Sequence, residues 1–319
     1  MCRTANGFDI NGFGQLKDGR GNICPVTIIL PTIAMLAGKD VDKFMSLLEK
    51  KIDEAKDMLL ERFYYIANQS PNSAKFMYDN GTMEGYVKEE GIISALKHGT
   101  LALGQLGLAE CLQILIGTDH SEKVGMDLAI KIEELFKSKC NEYKHLYKLN
   151  FGVYFSPCEN LCYTAMTKFR EKYGIIPNVS EHKFFTNSMH IPVWRKINAF
   201  EKIDLESKLT GYSSAGCITY IESDGCVKDN LKALETLVNY ALDKDIPYFA
   251  VNVPNDTCLD CGFRGEIPTN CPNCSGDNIQ RLRRVTGYLT NDYKTAFNLG
   301  KQEEVELRWK HLDNINLKE

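Results

Sequence analysis

Four cysteines in two CxxC pairs, Cys258/Cys261 and Cys271/Cys274, stand in the last quarter of this 319-residue chain. A CxxC turn presents two sulfurs to one ion, and two such turns complete a tetrahedron of thiolates. Nine residues separate the pairs, Gly262 to Asn270, with glycines at 262 and 265 and Pro268. That length suits a small ribbon whose two knuckles face each other. Four protein ligands leave no open position, so the spacing reads as structural zinc; two disulfides or a redox CxxC are the competing readings. Immediately downstream runs Arg284-Val285-Thr286-Gly287-Tyr288-Leu289. Taken alone, Gly287 is an ordinary turn glycine.

The elements that must carry these residues follow from patterning. Cys24 to Leu30 is a continuous apolar run ended by Pro31, which suits a strand buried on both faces. Asp40 can cap a helix to about Ala67, with apolar residues at Phe44, Leu47, Leu48, Ile52, Ala55, Met58, Leu59 and Phe63. Helical blocks are expected over Leu101 to Gly117 and Lys123 to Leu149. A short strand over Phe151 to Phe155 precedes a helix from about Glu159 to Tyr173. Strands over Cys217 to Ile221 and Tyr248 to Val253 flank a helix from Asp229 to Leu242. Gln280 to Leu289 leads into the glycine loop. Strands alternating with helices imply βαβ units and a parallel sheet or barrel.

Composition sets limits. A net charge of -4 and a pI near 6.0 argue against electrostatic binding to nucleic acid or a membrane. The chain has 44% hydrophobic and 25% charged residues, ordinary for a globular protein with a large core. No signal-peptide pattern and no apolar run of membrane length is present, so a cytoplasmic, reducing compartment is expected. That weighs against disulfides among the twelve cysteines. Outside the CxxC pairs, cysteines such as Cys111 and Cys140 read as small buried apolar residues.

The order of motifs then carries a family likeness. Cys2-Arg3-Thr4 opens the chain, and Gly19-Arg20-Gly21-Asn22 leads into the strand ending at Leu30-Pro31. His98-Gly99-Thr100-Leu101 follows, with Gly104, Gly107-Leu108-Ala109-Glu110 and Gly117. Ser156-Pro157-Cys158-Glu159 precedes Thr186-Asn187-Ser188-Met189-His190-Ile191-Pro192-Val193. Ala215-Gly216-Cys217-Ile218, the double CxxC and RVTGYL complete the set. In this order the chain resembles the anaerobic (class III) ribonucleoside-triphosphate reductases over nearly its whole length.

The resemblance implies an α/β fold: the C-terminal half of a ten-stranded α/β barrel of glycyl-radical type, with a zinc ribbon and a C-terminal radical loop. The divisions would be 1–254 for the partial barrel and finger-loop start, 255–278 for the ribbon, and 279–319 for the radical loop and tail. Gly287 would carry the glycyl radical and Cys2 the thiyl radical. A separate activating enzyme, with S-adenosylmethionine and an iron–sulfur cluster, would install the former. The thiyl would take the 3' hydrogen of a ribonucleoside triphosphate and the 2' hydroxyl would leave as water. Asn22 and Glu159 match positions that face the substrate, their bland readings being a turn residue and a helix N-terminal carboxylate. Cys24 matches the region where some members of the family carry a third cysteine through which a redoxin, rather than formate, supplies electrons; its other reading is a buried strand residue. Asn187 and His190 would shape the site wall, or His190 is a satisfied core histidine. The family also suggests a homodimer.

Members of the family are about twice as long, so the barrel's first half is expected from a companion chain, this being one product of a split gene or a truncated gene. Three functions therefore stand side by side: part of a reductase, a glycyl-radical spare part or inactive remnant, and a zinc-ribbon binding protein.

Overall fold

A computed structural model describes residues 4–224 and 230–312. The chain divides into two compact units, one of residues 1–156 with 211–217, the other of residues 157–210 with 218–319. No described helix is long and apolar enough to cross a membrane.

The first unit is built on a parallel sheet of order β1-β2-β3, with β1 at Asn22–Ile29, β2 at Thr100–Leu106 and β3 at Asn150–Val153. The β1–β2 register shifts between Ile23 and Val26. Pro25 lies in that interval and has no N–H to give the ladder. Among the described side chains of β1 only Ile23 and Ile28 are buried and the others are half-buried, so the strand is not fully covered on both faces. Pro31 does not end the run in a break. It sits in the first turn of helix α1 (Leu30–Ala37), where a missing N–H costs nothing. Helix α2 (Val41–Ala67) begins as expected, with Asp40 Oδ1 accepting from Lys43 N at 2.9 Å. Its buried face is Phe44, Leu48, Ile52, Ala55, Leu59 and Phe63, while Met58 is exposed. Short helices α3 (Lys75–Asp79) and α4 (Ile93–Leu96) lead to β2.

The helix expected over Leu101 to Gly117 is a strand followed by a helix. Residues Thr100 to Leu106 are all buried and lie between β1 and β3, so burial in a sheet overrides the helix propensity of Leu, Ala and Gln. At Gly107 the backbone turns left-handed (φ 77°), and α5 runs from Leu108 to Ile116. Helix α6 spans Lys123–Tyr147. Cys111 and Cys140 are buried, and burial pushes the Cys140 thiol up to about 12.

The segment that follows Cys2 is tied to this sheet through one carboxylate. Asp9 accepts from His98 Nδ1 (2.8 Å), Asn150 Nδ2 (2.6 Å), Phe13 N (3.0 Å) and Asn11 N (3.1 Å). Arg20 closes the same loop, donating to the carbonyls of His98, Gly7 and Leu16. Ala5 N donates to Ala215 O at 2.9 Å.

The second unit contains α7 (Leu161–Tyr173), α8 (Ala199–Thr210), β4 (Thr219–Glu222), α9 (Leu231–Asp243) and β5 (Phe249–Asn252). Strands β4 and β5 are parallel, and Ile221, Ala199, Ile203, Leu237, Ala241 and Ile246 form their core. Helix α8 was not anticipated from patterning. An antiparallel sheet of order β7-β6-β8-β9 follows, from β6 (Asn255–Cys258), β7 (Arg264–Gly265), β8 (Ile279–Val285) and β9 (Tyr288–Thr290). Helices α10 (Tyr293–Ala296) and α11 (Leu299–Leu307) close the unit.

Burial alone would raise the Asp9 carboxyl, but the hydrogen bonds from Asn150, His98 and two backbone N–H groups outweigh it and hold it at about 2, against an ordinary 3.8. A lowered acid stabilises the fold above its unfolded value and loses that contribution as pH falls from about 4 towards 2. The difference is worth about 2 kcal/mol. Asp9→Asn should therefore lower stability at pH 7 and flatten the acid limb between pH 4 and 2. Urea unfolding across that range measures both, and an unchanged acid limb would remove Asp9 from this role.

Candidate functional site

The four CxxC sulfurs lie within 4.8 Å of one another. Cys258 and Cys274 sulfurs are 3.6 Å apart, and those of Cys261 and Cys271 are 3.5 Å apart. These are contacts between free thiols, not disulfides. A zinc–sulfur length of about 2.3 Å places tetrahedral sulfurs roughly 3.8 Å apart, so the donor set and its size suit that ion.

Backbone geometry explains the convergence. The N–H of Gly262 donates to Cys258 O and that of Ser275 to Cys271 O, at 2.9 and 2.8 Å. In turn Cys258 N donates to Phe263 O, and Cys271 N to Gly276 O. The two knuckles are thus the same turn used twice. Each places a left-handed residue after its second cysteine, Gly262 (φ 77°) and Ser275 (φ 60°). Cys258 and Cys271 are buried with Ile267, against Phe263 and Ile279, while Cys261 and Cys274 are exposed.

Gly287 lies at the tip of the β8–β9 hairpin. Val285 pairs with Tyr288, leaving Thr286 and Gly287 as a two-residue turn. The left-handed residue in this turn is Thr286, at φ 54°. A β-branched residue in that region costs on the order of 1–3 kcal/mol. Tyr220 Oη donates to Thr286 O at 3.0 Å, and the Thr286 hydroxyl donates to Val285 O at 2.7 Å.

The sequence-predicted Glu159 is brought to this turn. A Cβ on Gly287 would stand 3.3 Å from Glu159 Oε1, and Tyr288 Oη donates to Glu159 Oε2 at 3.0 Å. Glu159 is not in the helix as expected; it precedes α7 with φ 50°, after Cys158 at φ 51°. That double left-handed step aims the carboxylate at the turn instead of at the helix N-terminus.

Around this pair stand Lys301, Asn160 and Cys162, which patterning did not reveal, and Asn187, which the resemblance named. Lys301 Nζ lies 3.9 Å from the Tyr288 ring centroid and donates to Asn160 Oδ1. Burial lowers the Lys301 pKa, opposed by Cys162, Glu159 and Glu304. Asn187 donates to Pro157 O and approaches Cys162 Sγ at 3.8 Å. A hydrogen bond with Cys158, together with burial, raises the Cys162 thiol well above its usual range. The local signal was the SPCENLC run, whose two cysteines stand four apart; the contacts of Lys301 with Asn160 and of Tyr288 with Glu159 cross more than a hundred residues and leave no local trace.

Other expected site residues sort as follows. His190 is a satisfied core histidine: its Nδ1 is 3.2 Å from Glu206 Oε1, which also accepts from Lys202. Burial alone would raise the Glu206 carboxyl, but Lys202 and His190 hold it well below the carboxylate range. Asn22 opens β1, and both its amide atoms are buried with no hydrogen-bond partner among the described residues. Cys24 lies within β1, and its side chain, like the whole of Cys2, is outside the described residues.

Known proteins resemble this chain in sequence and in fold. The family model "Anaerobic ribonucleoside-triphosphate reductase" matches residues 1–311. An anaerobic ribonucleoside-triphosphate reductase of Salmonella typhimurium is 33% identical over 328 aligned residues, covering 98% of this chain and 46% of that protein. A solved anaerobic ribonucleotide reductase is similar in fold, with TM-score 0.75 and 20% identity over 92% of this chain and 46% of its own. The structure from Thermotoga maritima with glycerol in its active site gives 0.71 and 20%, covering 96% of this chain and 47% of its own. The chain spans about half the length of the curated relatives it matches.

One ion per chain should bind the four thiolates, and Cys258→Ser or Cys271→Ser should abolish it. Because both cysteines belong to the buried cluster under β6 and β8, losing the ion should speed hydrogen exchange through residues 255–285. Elemental analysis and exchange mass spectrometry test this. A metal-free protein with the same protection would show that the thiols hold the sheet unaided.

Proposed function

This chain belongs to the anaerobic ribonucleoside-triphosphate reductase family, and from that premise we propose that it reduces ribonucleoside triphosphates to 2'-deoxyribonucleoside triphosphates together with the complementary half of the catalytic body. Gly287 carries the stored radical and Cys2 the working thiyl. The observation that supports this most directly is the turn itself: a Cα without a side chain at a hairpin tip, set against the Glu159 carboxylate.

The chemistry follows from these groups. A glycine Cα can flatten into a radical centre that a close-approaching thiol can reach. The thiyl sulfur takes the 3' hydrogen of the ribose, after which the 2' hydroxyl departs as water. Two electrons must then be supplied, by formate or by thiols that include Cys24 and form a disulfide that a redoxin reduces, and the Cys2 thiol returns its hydrogen atom to C3'. Glu159 and Asn22, whose amide has no partner among the described residues, are the substrate contacts. Zinc on Cys258, Cys261, Cys271 and Cys274 has a structural part, bracing the base of the radical hairpin.

The proposed divisions are 1–254 for the partial barrel, 255–278 for the zinc ribbon and 279–319 for the radical loop and tail. Three parallel strands in one unit and two in the other, among the described residues, agree in number with half of a ten-stranded barrel. A half barrel leaves strand edges that need a partner, so a companion chain supplies the rest. The activating enzyme, with S-adenosylmethionine and an iron–sulfur cluster, is a further partner. A homodimer and a cytoplasmic setting belong to the same reading. The length of the family match favours a reductase part over a zinc-ribbon binding module, which would need only the last quarter.

Gly287→Ala should fold, because φ there is not left-handed and a flexible carboxylate is all that must yield to the methyl. It should give no glycyl doublet in anaerobic electron paramagnetic resonance after activation, whereas the parent chain gives one. Cys2→Ser should keep the doublet and lose deoxynucleotide formation when the complementary half is present. Air should cleave the activated chain at Gly287, releasing a fragment from Tyr288 to Glu319. A doublet without turnover under every pairing would mark a spare part; no doublet in the parent would withdraw the radical chemistry.

A further inference from the structure

Resting on the reading of Gly287 as the radical residue, we infer that Tyr220 is a positioning residue that fixes the plane of the Thr286–Gly287 peptide. Its hydroxyl donates to Thr286 O at 3.0 Å, the carbonyl of the peptide whose N–H belongs to Gly287.

The inference starts from where the strain lies. Thr286 is the left-handed residue of the turn and is 6% exposed, while Tyr288 on the other side of Gly287 is 39% exposed. A strained conformation persists only where its surroundings over-determine it. Thr286 bonds its own neighbour through its hydroxyl, which cannot orient the turn against the rest of the unit. Tyr220 can. Its backbone is held in β4, paired with Ala250 of β5. The Arg284 guanidinium lies 5.2 Å from its ring centroid, and the His190 ring lies 5.7 Å away. His190 is in turn fixed on Glu206. The phenol is therefore aimed from a rigid element, from a position 66 residues earlier in the chain.

Chemistry gives the bond its purpose. An unpaired electron on a glycine Cα occupies a p orbital that overlaps the π systems of both flanking amides, and overlap is greatest when both planes are aligned with the Cα. A donor on Thr286 O fixes one of those planes and draws nitrogen density towards that oxygen. Tyr288 and Glu159 restrain the other side of the turn.

The test uses the full chain and Tyr220→Phe, which keeps the ring and removes the hydroxyl. Tyr240→Phe is the control, removing a phenol that is 2.8 Å from Asp204 in the same unit. Loss of one hydrogen bond should raise amide exchange at residues 286–288 roughly threefold to tenfold. After activation, the Tyr220→Phe doublet should change in line shape and decay faster, and the Tyr240→Phe doublet should match the parent. A line-shape change is what a merely structural role would not produce. Parental exchange and a parental doublet in Tyr220→Phe would overturn the inference and leave the radical reading intact. Absence of a doublet in the parent would overturn the radical reading and this role with it.

Discussion

The second unit depends on one strand serving two neighbours. Over its first half β8 pairs with β6, where Cys258 faces Ile279; over its second half it pairs with β9, where Val285 faces Tyr288. Seven residues of extended backbone therefore join the cysteine knuckles to the glycine turn with no flexible joint between them. The Arg283–Asp256 ion pair ties β8 to β6 near the crossover, and Asp256 also accepts from Ile267 N at 2.9 Å. Val285, Tyr293 and Phe297 then seat the hairpin's end on α10 and the segment after it. A pair of hydrogen-bonded cysteine knuckles at one end of a short strand limits how far its other end can wander.

That constraint changes what the glycine is for. Glycine in a hairpin turn is usually explained by a left-handed backbone, yet here Thr286 takes that conformation. Conformational freedom is thus not the requirement at Gly287. Nor is space: a Cβ would meet only Glu159 Oε1, the end of a flexible side chain, at 3.3 Å. A bare Cα beside a carboxylate, with the strain displaced onto the preceding residue, is an arrangement a turn does not need for folding alone.

Legibility in the sequence followed the range of the interaction. The CxxC spacing is local, and the knuckles close through hydrogen bonds only four and five residues long. The Asp40 cap and the α2 face are local too, and both were readable. The segment from Leu101 to Gly117 was misread because a fully buried strand loses the alternation that marks strands, and its Leu and Ala look helical. Helix α1 was missed because Pro31 signals a stop unless its place in the first turn is known. Glu159 was picked out by resemblance, but its aim came from two successive left-handed residues that no pattern announces. Tyr220 and Lys301 act across long stretches of chain, where sequence carries no signal.

Two buried polar groups in the first unit show how scaffold and site differ. Asp9 has donors for both of its oxygens, and it fastens the segment after Cys2 to His98 and Asn150. Such a group is finished: adding a ligand would break bonds. Asn22 stands a short way along the same segment with both amide atoms buried and unmatched among the described residues. Leaving an amide in that state costs roughly 1–3 kcal/mol per unpaired group. A ribose hydroxyl, which both donates and accepts, matches an amide's oxygen and nitrogen together, and that complementarity supports the substrate contact proposed for Asn22.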